Sequence, residues 1–101
     1  MVILERIIHQ IYPDKWSEVN ALEAEFDQIE KPLGFTEKKL FKMLTGGDGV
    51  NTLVIERHWP SMAAMEAMYD KAMVDSGWQA MGKKMSTVIK DTRYELLLVL
   101  P

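Results

Sequence analysis

Residues 35–59 read FTEKKLFKMLTGGDGVNTLVIERHW, and this stretch decides the fold. Residues 35–45 alternate in polarity and predict one strand, and the Val- and Ile-containing residues 51–59 predict another. The glycines of residues 46–49 supply the positive φ values that a tight reversal requires, so the two strands are expected to form a β-hairpin. No Lys-Ser or Lys-Thr follows these glycines, which excludes a phosphate-binding loop.

A strand and a helix precede the hairpin. Residues 2–10 are rich in Ile and predict the first strand. Pro13 and Asp14 suit the first turn of a helix, and apolar residues then recur at spacings of three and four. Pro32 and Gly34 are expected to end this helix.

A second helical region and a last strand follow the hairpin. Ser61 is the predicted N-cap of a helix through residue 74. Ser76 and Gln79 match a capping box, which restarts a helix to about residue 88, and residues 93–100 predict the last strand. The order β-α-β-β-α-β predicts an α+β, ferredoxin-like fold with a four-stranded antiparallel sheet. A chain of 101 residues fits a single such domain, residues 1–101.

The composition excludes several classes of protein. The net charge is −3, whereas a nucleic-acid-binding domain usually has a basic face. The absence of cysteine excludes disulfides and thiolate metal sites. No apolar run approaches the ~20 residues of a membrane-spanning helix, and the first residues lack the basic region of a signal peptide. We therefore expect a cytoplasmic protein that binds neither nucleic acid nor a membrane.

The predicted strands are apolar on both faces. Leu53 and Ile55 point to one face and Val54 to the other, and the last strand is almost entirely Leu and Val. Two helices cover one face of such a sheet, so the other face becomes a large exposed apolar patch unless something covers it. We expect a second copy to do so in a homodimer; a lone domain with a ligand groove on that face is the alternative.

Three short motifs carry a family resemblance. The third strand runs into WPSMAA at residues 59–64, DSGWQ follows at residues 75–79, and RYEL opens the last strand at residues 93–96. Together they resemble the dimeric α+β-barrel superfamily, especially its NIPSNAP-like and antibiotic-biosynthesis-monooxygenase-like branches. The resemblance covers nearly the whole chain and implies a dimeric α+β barrel. It implies fold rather than reaction, because the superfamily includes monooxygenases, haem degraders, isomerases and members without known activity.

The histidines argue against the haem-degrading branch. Those members use a histidine on a helix as the iron ligand, whereas His9 and His58 are predicted on strands. Two histidines and two carboxylates are metal-ligand types, but no spacing such as H-x-H supports a site. We therefore expect neither a metal nor a cofactor.

Charged residues inside apolar strands are the candidate functional residues, because a buried charge is costly without a partner. They are Glu5, Arg6, His9, Glu56, Arg57, His58 and Glu95. We treat the first and third strands as parallel neighbours, so that equivalent positions lie side by side. One face then carries Glu5, His9, Glu56 and His58, and the other carries Arg6, Arg57 and Trp59.

The predicted site is a pocket between the sheet and the helices or the partner. Its candidate residues are Arg57, Trp59, His58, His9 and Glu5. Arg57 and Trp59 are two residues apart on a strand and therefore share a face, with a histidine expected near the mouth. The guanidinium requires either an acidic partner, for which Glu95 is the nearest candidate, or an anionic ligand.

Two functions fit this pattern. The first is a small-molecule binder or a cofactor-independent enzyme, of monooxygenase or isomerase type, for an apolar or an aromatic acidic molecule. Histidine suits acid–base chemistry because it titrates near neutral pH. The second is a non-catalytic dimerisation module in which the ion pairs and histidines are structural. An open cavity that touches these polar side chains favours the first, and a cavity filled by Leu, Ile and Met favours the second.

Overall fold

The computed structural model describes all 101 residues and has the expected order of elements. The elements are β1 (Ile3–Ile11), α1 (Trp16–Leu33), β2 (Lys38–Lys42), β3 (Thr52–Trp59), α2 (Met62–Met73), α3 (Ser76–Ser86) and β4 (Ile89–Leu98). The strand order in the sheet is β2-β3-β1-β4, and every neighbouring pair is antiparallel. The predicted ferredoxin-like α+β architecture is therefore confirmed.

The expected parallel pairing of the first and third strands is wrong. β1 and β3 are antiparallel, so Glu5 lies opposite Arg57 and His9 lies opposite Leu53. Because directly opposed residues point to the same face of a sheet, the pairing puts Glu5 and His9 on the face of Arg57 and Trp59. The other face carries Arg6, Glu56, His58 and Glu95.

The three helices pack against the face of the sheet that carries Arg57. One core cluster there consists of Ile11, Val19, Leu53, Ile55, Met85 and Val88. A second consists of Ile3, Phe35, Trp59, Met65 and Ala72. Ile3 and Ile11 belong to different clusters, so the middle of β1 lies between them. None of the three helices combines the length and hydrophobicity that crossing a membrane requires.

The ends of the helices correct three expectations. α1 begins at Trp16, later than Pro13 and Asp14 suggest, and Pro32 lies inside its last turn. Gly34 alone ends α1, with a φ of 102° in the left-handed region that glycine adopts at helix C-termini. The carboxylate of Asp75 accepts a hydrogen bond from the Trp78 N–H at 2.9 Å, so Asp75, not Ser76, is the N-cap of α3.

The strand pairing sets the bounds of the outer strands. β4 is paired with β1 from its first residue, Ile89, and therefore begins earlier than residue 93. β2 is an edge strand of five residues, shorter than the predicted 35–45. Ser61 is the N-cap of α2 as predicted, because its hydroxyl accepts from the Ala64 N–H at 3.1 Å.

The sheet face opposite the helices, here called the open face, contributes nothing to either core cluster. At its centre Arg6 bridges Glu56 at 2.8 Å and Glu95 at 3.2 Å. At one end the β2–β3 loop reaches over the sheet, where Asp48 forms two hydrogen bonds with Arg93 on β4, at 2.9 and 3.0 Å. The open face is therefore part apolar and part ion-paired.

Candidate functional site

A cavity of about 440 Å³ lies between the sheet and the helices. Its volume is typical of small-molecule sites. The sheet contributes Ile7, His9, Ile55 and Arg57, and the helices contribute Glu23, Phe26, Glu30, Tyr69, Trp78 and Met85. The cavity is thus lined by apolar, aromatic and charged side chains together.

Two cations and two carboxylates form a buried ion cluster in the cavity wall. Glu30 Oε1 accepts from Arg57 Nη2 at 3.0 Å and from Lys38 Nζ at 3.3 Å. Lys38 also donates to Glu23 at 2.6 Å, and Arg57 Nε donates to the backbone oxygen of Thr36 at 2.8 Å. Each of the four charges has an opposite charge within reach, which offsets the cost of burial.

The acidic partner of Arg57 is Glu30, and the expectation of Glu95 is wrong. Glu95 lies on the open face and pairs with Arg6, because residues 57 and 95 point to opposite faces of the sheet. Glu30 was not among the candidate residues predicted from the sequence. The available signal was its position four residues after Phe26, which continues the apolar stripe of the helix.

Glu23 and Lys38 were also missed as site residues. Glu23 stands four residues after the fully buried Val19, so the same stripe contains it. Lys38 belongs to a strand with three lysines, at positions 38, 39 and 42, and nothing in its local sequence distinguishes it from the other two. Only its position opposite Arg57 in the sheet brings it to the ion cluster.

Beside the ion cluster, Glu5 lies among aromatic rings and is 5% exposed. Its Oε1 accepts from Trp59 Nε1 at 3.0 Å, and its Oε2 accepts from the Tyr69 hydroxyl at 2.5 Å. No lysine, arginine or histidine forms a salt bridge with it. Trp59 and Tyr69 belong to an aromatic cluster with Phe35 and Trp78, in which contacting rings have centroids 5.5–6.5 Å apart.

The Tyr69 hydroxyl is held in its protonated form. Burial, and then the negative charge of the Glu5 carboxylate, raise the pKa of Tyr69 far above its ordinary value. The phenol therefore donates its proton to Glu5 throughout the neutral pH range. Tyr69 lines the cavity and Glu5 does not, so Tyr69 separates the carboxylate from any occupant.

The two histidines lie on opposite faces of the sheet. His9 lines the cavity, and its Nδ1 is 2.8 Å from the hydroxyl of Thr92. Burial lowers the pKa of His9 to about 4, so the ring is neutral at pH 7. His58 is exposed on the open face, which is why it is not at the mouth of the cavity as predicted. The two rings cannot share a metal ion, and no group of three His, Asp or Glu side chains is arranged to hold one.

Four of the five predicted residues meet on one face. Arg57 and His9 line the cavity, while Trp59 and Glu5 form a hydrogen-bonded pair behind its wall. His58 is separate from them. The structure thus brings four of the five predicted residues to one face, although Glu5 and His9 were predicted on the face opposite Arg57 and Trp59.

No family model matches the sequence, and no curated protein matches it either. Solved structures do match the fold. A NIPSNAP family protein from Agrobacterium tumefaciens is 24% identical with a TM-score of 0.83, and the match covers 97% of this chain and 92% of that one. A NIPSNAP domain protein from Burkholderia xenovorans is 15% identical with a TM-score of 0.85, over 97% and 94% of the two chains.

A third solved structure belongs to an antibiotic biosynthesis monooxygenase. It is 16% identical with a TM-score of 0.71, and the match covers 100% of both chains. At these identities the likeness concerns fold and not activity. The chain therefore has the ferredoxin-like α+β fold of NIPSNAP proteins and of an antibiotic biosynthesis monooxygenase, which are the structures that its sequence motifs resemble.

Proposed function

We propose that this protein binds a small, neutral, largely aromatic molecule in the cavity between its sheet and its helices. The observation that carries the proposal is an open cavity of about 440 Å³ in contact with fixed polar groups. Phe26 and Trp78 offer aromatic contacts, and His9 and Tyr69 offer hydrogen bonds. A module that serves only for dimerisation does not account for such a space.

The charges around the cavity favour a neutral ligand over an acidic one. The two buried cations of the wall, Lys38 and Arg57, already have carboxylate partners in Glu23 and Glu30, and the third lining cation, Lys90, is exposed to solvent. Glu5 adds a buried carboxylate without a cation, so the buried charges in and behind the wall are two positive and three negative. An anionic ligand would give up its hydration beside a net negative buried charge, which removes the reason to expect an aromatic acid.

Calorimetric titration with 2-tetralone and with 2-naphthoate tests this proposal. The two molecules are bicyclic and similar in size, but only the second carries a negative charge. We expect 2-tetralone to bind at least about tenfold more tightly, a difference of about 1.4 kcal/mol in binding free energy. Tighter binding of 2-naphthoate would contradict a neutral ligand, and binding of neither molecule would contradict the proposed site.

We also propose that two copies associate through their open faces. Phe41 and Leu97 are 46% and 38% exposed on that face, and Val54 is partly exposed between Glu56 and the β2–β3 loop. Covering these side chains with a second sheet removes apolar area from water on both copies. The ligand cavity lies on the other side of the sheet, so dimer formation leaves it open.

A further inference from the structure

We propose that Tyr69 and Glu5 act together as the proton-accepting pair of the cavity, on a neutral carbonyl compound that has a removable hydrogen next to its carbonyl group. This inference rests on the proposed function, because it assigns chemistry to the same cavity. The reaction class is proton abstraction to an enolate, followed by return of a proton. Tyr69 is the catalytic residue that touches the ligand, and Glu5 acts through it.

Glu5 differs from the other buried carboxylates of the chain. Glu23 and Glu30 are each paired with a cation, whereas the equally buried Glu5 has none. Arg57 stands directly opposite Glu5 in the sheet, yet its guanidinium reaches Glu30 and the backbone of Thr36. A buried carboxylate without a cation is costly, and such costs are concentrated at functional sites.

The hydroxyl oxygen of Tyr69 is the atom through which Glu5 is connected to the cavity. Its 2.5 Å hydrogen bond with the Tyr69 hydroxyl has the short length of a bond to an ionised oxygen. Trp59 Nε1 holds the other carboxylate oxygen, which fixes the orientation of the group. A ligand that meets the Tyr69 oxygen therefore meets a phenol whose proton is already directed at a base.

The proposed step balances without any further reactant. The C–H bond next to the carbonyl group breaks, and its proton moves to Tyr69 Oη while the phenolic proton passes to Glu5 Oε2. The electron pair of the C–H bond forms the enolate. The hydroxyl proton of Tyr69 then exchanges with solvent, and Tyr69 returns a proton to the same carbon or to a conjugated one while the proton on Glu5 passes back to Tyr69. This regenerates the ketone or gives its isomer, so nothing is oxidised or reduced.

Arg57 can stabilise the enolate oxygen. It lines the same cavity, and its Nη1 donates to no acceptor in the chain, since only Nε and Nη2 are engaged. Hydrogen-bond donors that are fixed before the reaction stabilise charge that develops on oxygen. The pairing with Glu30 holds the guanidinium in place for this role.

Hydrogen–deuterium exchange tests the pair. 2-Tetralone is incubated in heavy water with the protein, and loss of its proton signals next to the carbonyl group is followed by NMR. We expect the wild type to accelerate exchange above the buffer rate. Tyr69→Phe and Glu5→Gln should each lower the accelerated rate by about 100-fold or more, or to the buffer rate, since general base catalysis contributes roughly that factor.

Two measurements separate a chemical role from a structural one. Calorimetry should show that Glu5→Gln keeps the wild-type affinity for 2-tetralone and that Tyr69→Phe weakens it by no more than about tenfold, the contribution of one hydrogen bond, so that the exchange rate falls much further than the affinity. Tyr12→Phe and Glu66→Gln make the same chemical changes at exposed positions outside the cavity, and should exchange at the wild-type rate. If either Tyr69→Phe or Glu5→Gln does not fold, the exchange rate of the other variant decides the test.

The outcomes distinguish this inference from the proposed function. If 2-tetralone does not bind the wild type, the proposed function fails, and the inference fails with it. If it binds but the wild type does not accelerate exchange, only the proton-accepting pair is refuted. Full exchange activity in both Tyr69→Phe and Glu5→Gln would also refute the pair while leaving the binding site intact.

Discussion

His9 presents a neutral imidazole to the cavity at pH 7. Its Nδ1 is engaged with the Thr92 hydroxyl, and burial is the cause of its lowered pKa. The ring therefore offers hydrogen bonding without charge, which agrees with a neutral ligand. A histidine of ordinary pKa would be partly charged in the same place.

The lowered pKa predicts how stability depends on pH. The unfolded chain takes up a proton at His9 below its ordinary pKa of about 6.5, whereas the folded protein does so only near pH 4. The unfolding free energy should therefore fall as pH drops from about 6.5 to about 4, and His9 should contribute nothing to the slope above that window. Urea denaturation at several pH values measures this dependence.

His9→Gln is the control for that experiment, because Asp and Glu residues also affect stability in acid. The variant should lose part of the slope between about pH 4 and pH 6.5 and keep the rest. Equal slopes in the wild type and the variant would show that His9 does not titrate as its burial implies.

Among the secondary-structure elements, α3 forms one wall of the cavity. It lines the cavity with Trp78, Gly82, Met85 and Ser86. A Cβ atom added at Gly82 would meet no atom within 4 Å, so this position faces open space. Larger side chains can therefore enter the cavity from Gly82 without disturbing the core.

Substitutions at Gly82 separate helix stability from cavity volume. Gly82→Ala should raise the unfolding free energy by up to about 1 kcal/mol, because glycine is a poor helix former. Gly82→Leu should keep that stability but weaken 2-tetralone binding at least about tenfold, which corresponds to about 1.4 kcal/mol. Gly82→Ala is the matched control for binding. Wild-type affinity in Gly82→Leu would place the ligand elsewhere.

For the strands, the sequence predicts which residues of one strand share a face of the sheet. It does not predict which residues of a neighbouring strand lie on that same face. The spacing of Arg57 and Trp59 correctly placed them together. Adding Glu5 and His9 to their face required the direction and register of β1 against β3, which depend on packing of the whole sheet. Turn and capping residues such as Gly34 and Ser61 act locally, which is why most element positions were predictable.

For the whole molecule, the exposed apolar side chains of the open face predict a dimer. Val54→Asp places a charge in the proposed interface and should convert the dimer to monomers of about 11.6 kDa. Val74→Asp is the matched control, since Val74 is 82% exposed and lies after α2, on the helical side. Light scattering measures the masses, and a monomeric wild type at micromolar concentration would contradict the proposal.

The choice of Val54 follows from the structure. Ile55 is 6% exposed and belongs to the core beneath the helices, so a charge there would unfold the subunit without testing the interface. From the sequence alone the two neighbouring positions were equivalent, because both faces of the strand are apolar. The ion cluster of Glu23, Glu30, Lys38 and Arg57 was unpredictable because its members come from α1, β2 and β3 and meet only in the folded chain.

We propose that the cavity beneath α3 binds a neutral aromatic molecule, and the three tryptophans report whether it is occupied. Trp78 lines the cavity, Trp59 lies behind it, and Trp16 lies outside it with its Nε1 bonded to Asn51. A proton–nitrogen correlation spectrum recorded during titration with 2-tetralone resolves their indole N–H signals. We expect a saturable shift of the Trp78 signal with the Trp16 signal unmoved. An unmoved Trp78 signal, or a shift confined to Trp16, would show that 2-tetralone does not occupy this cavity.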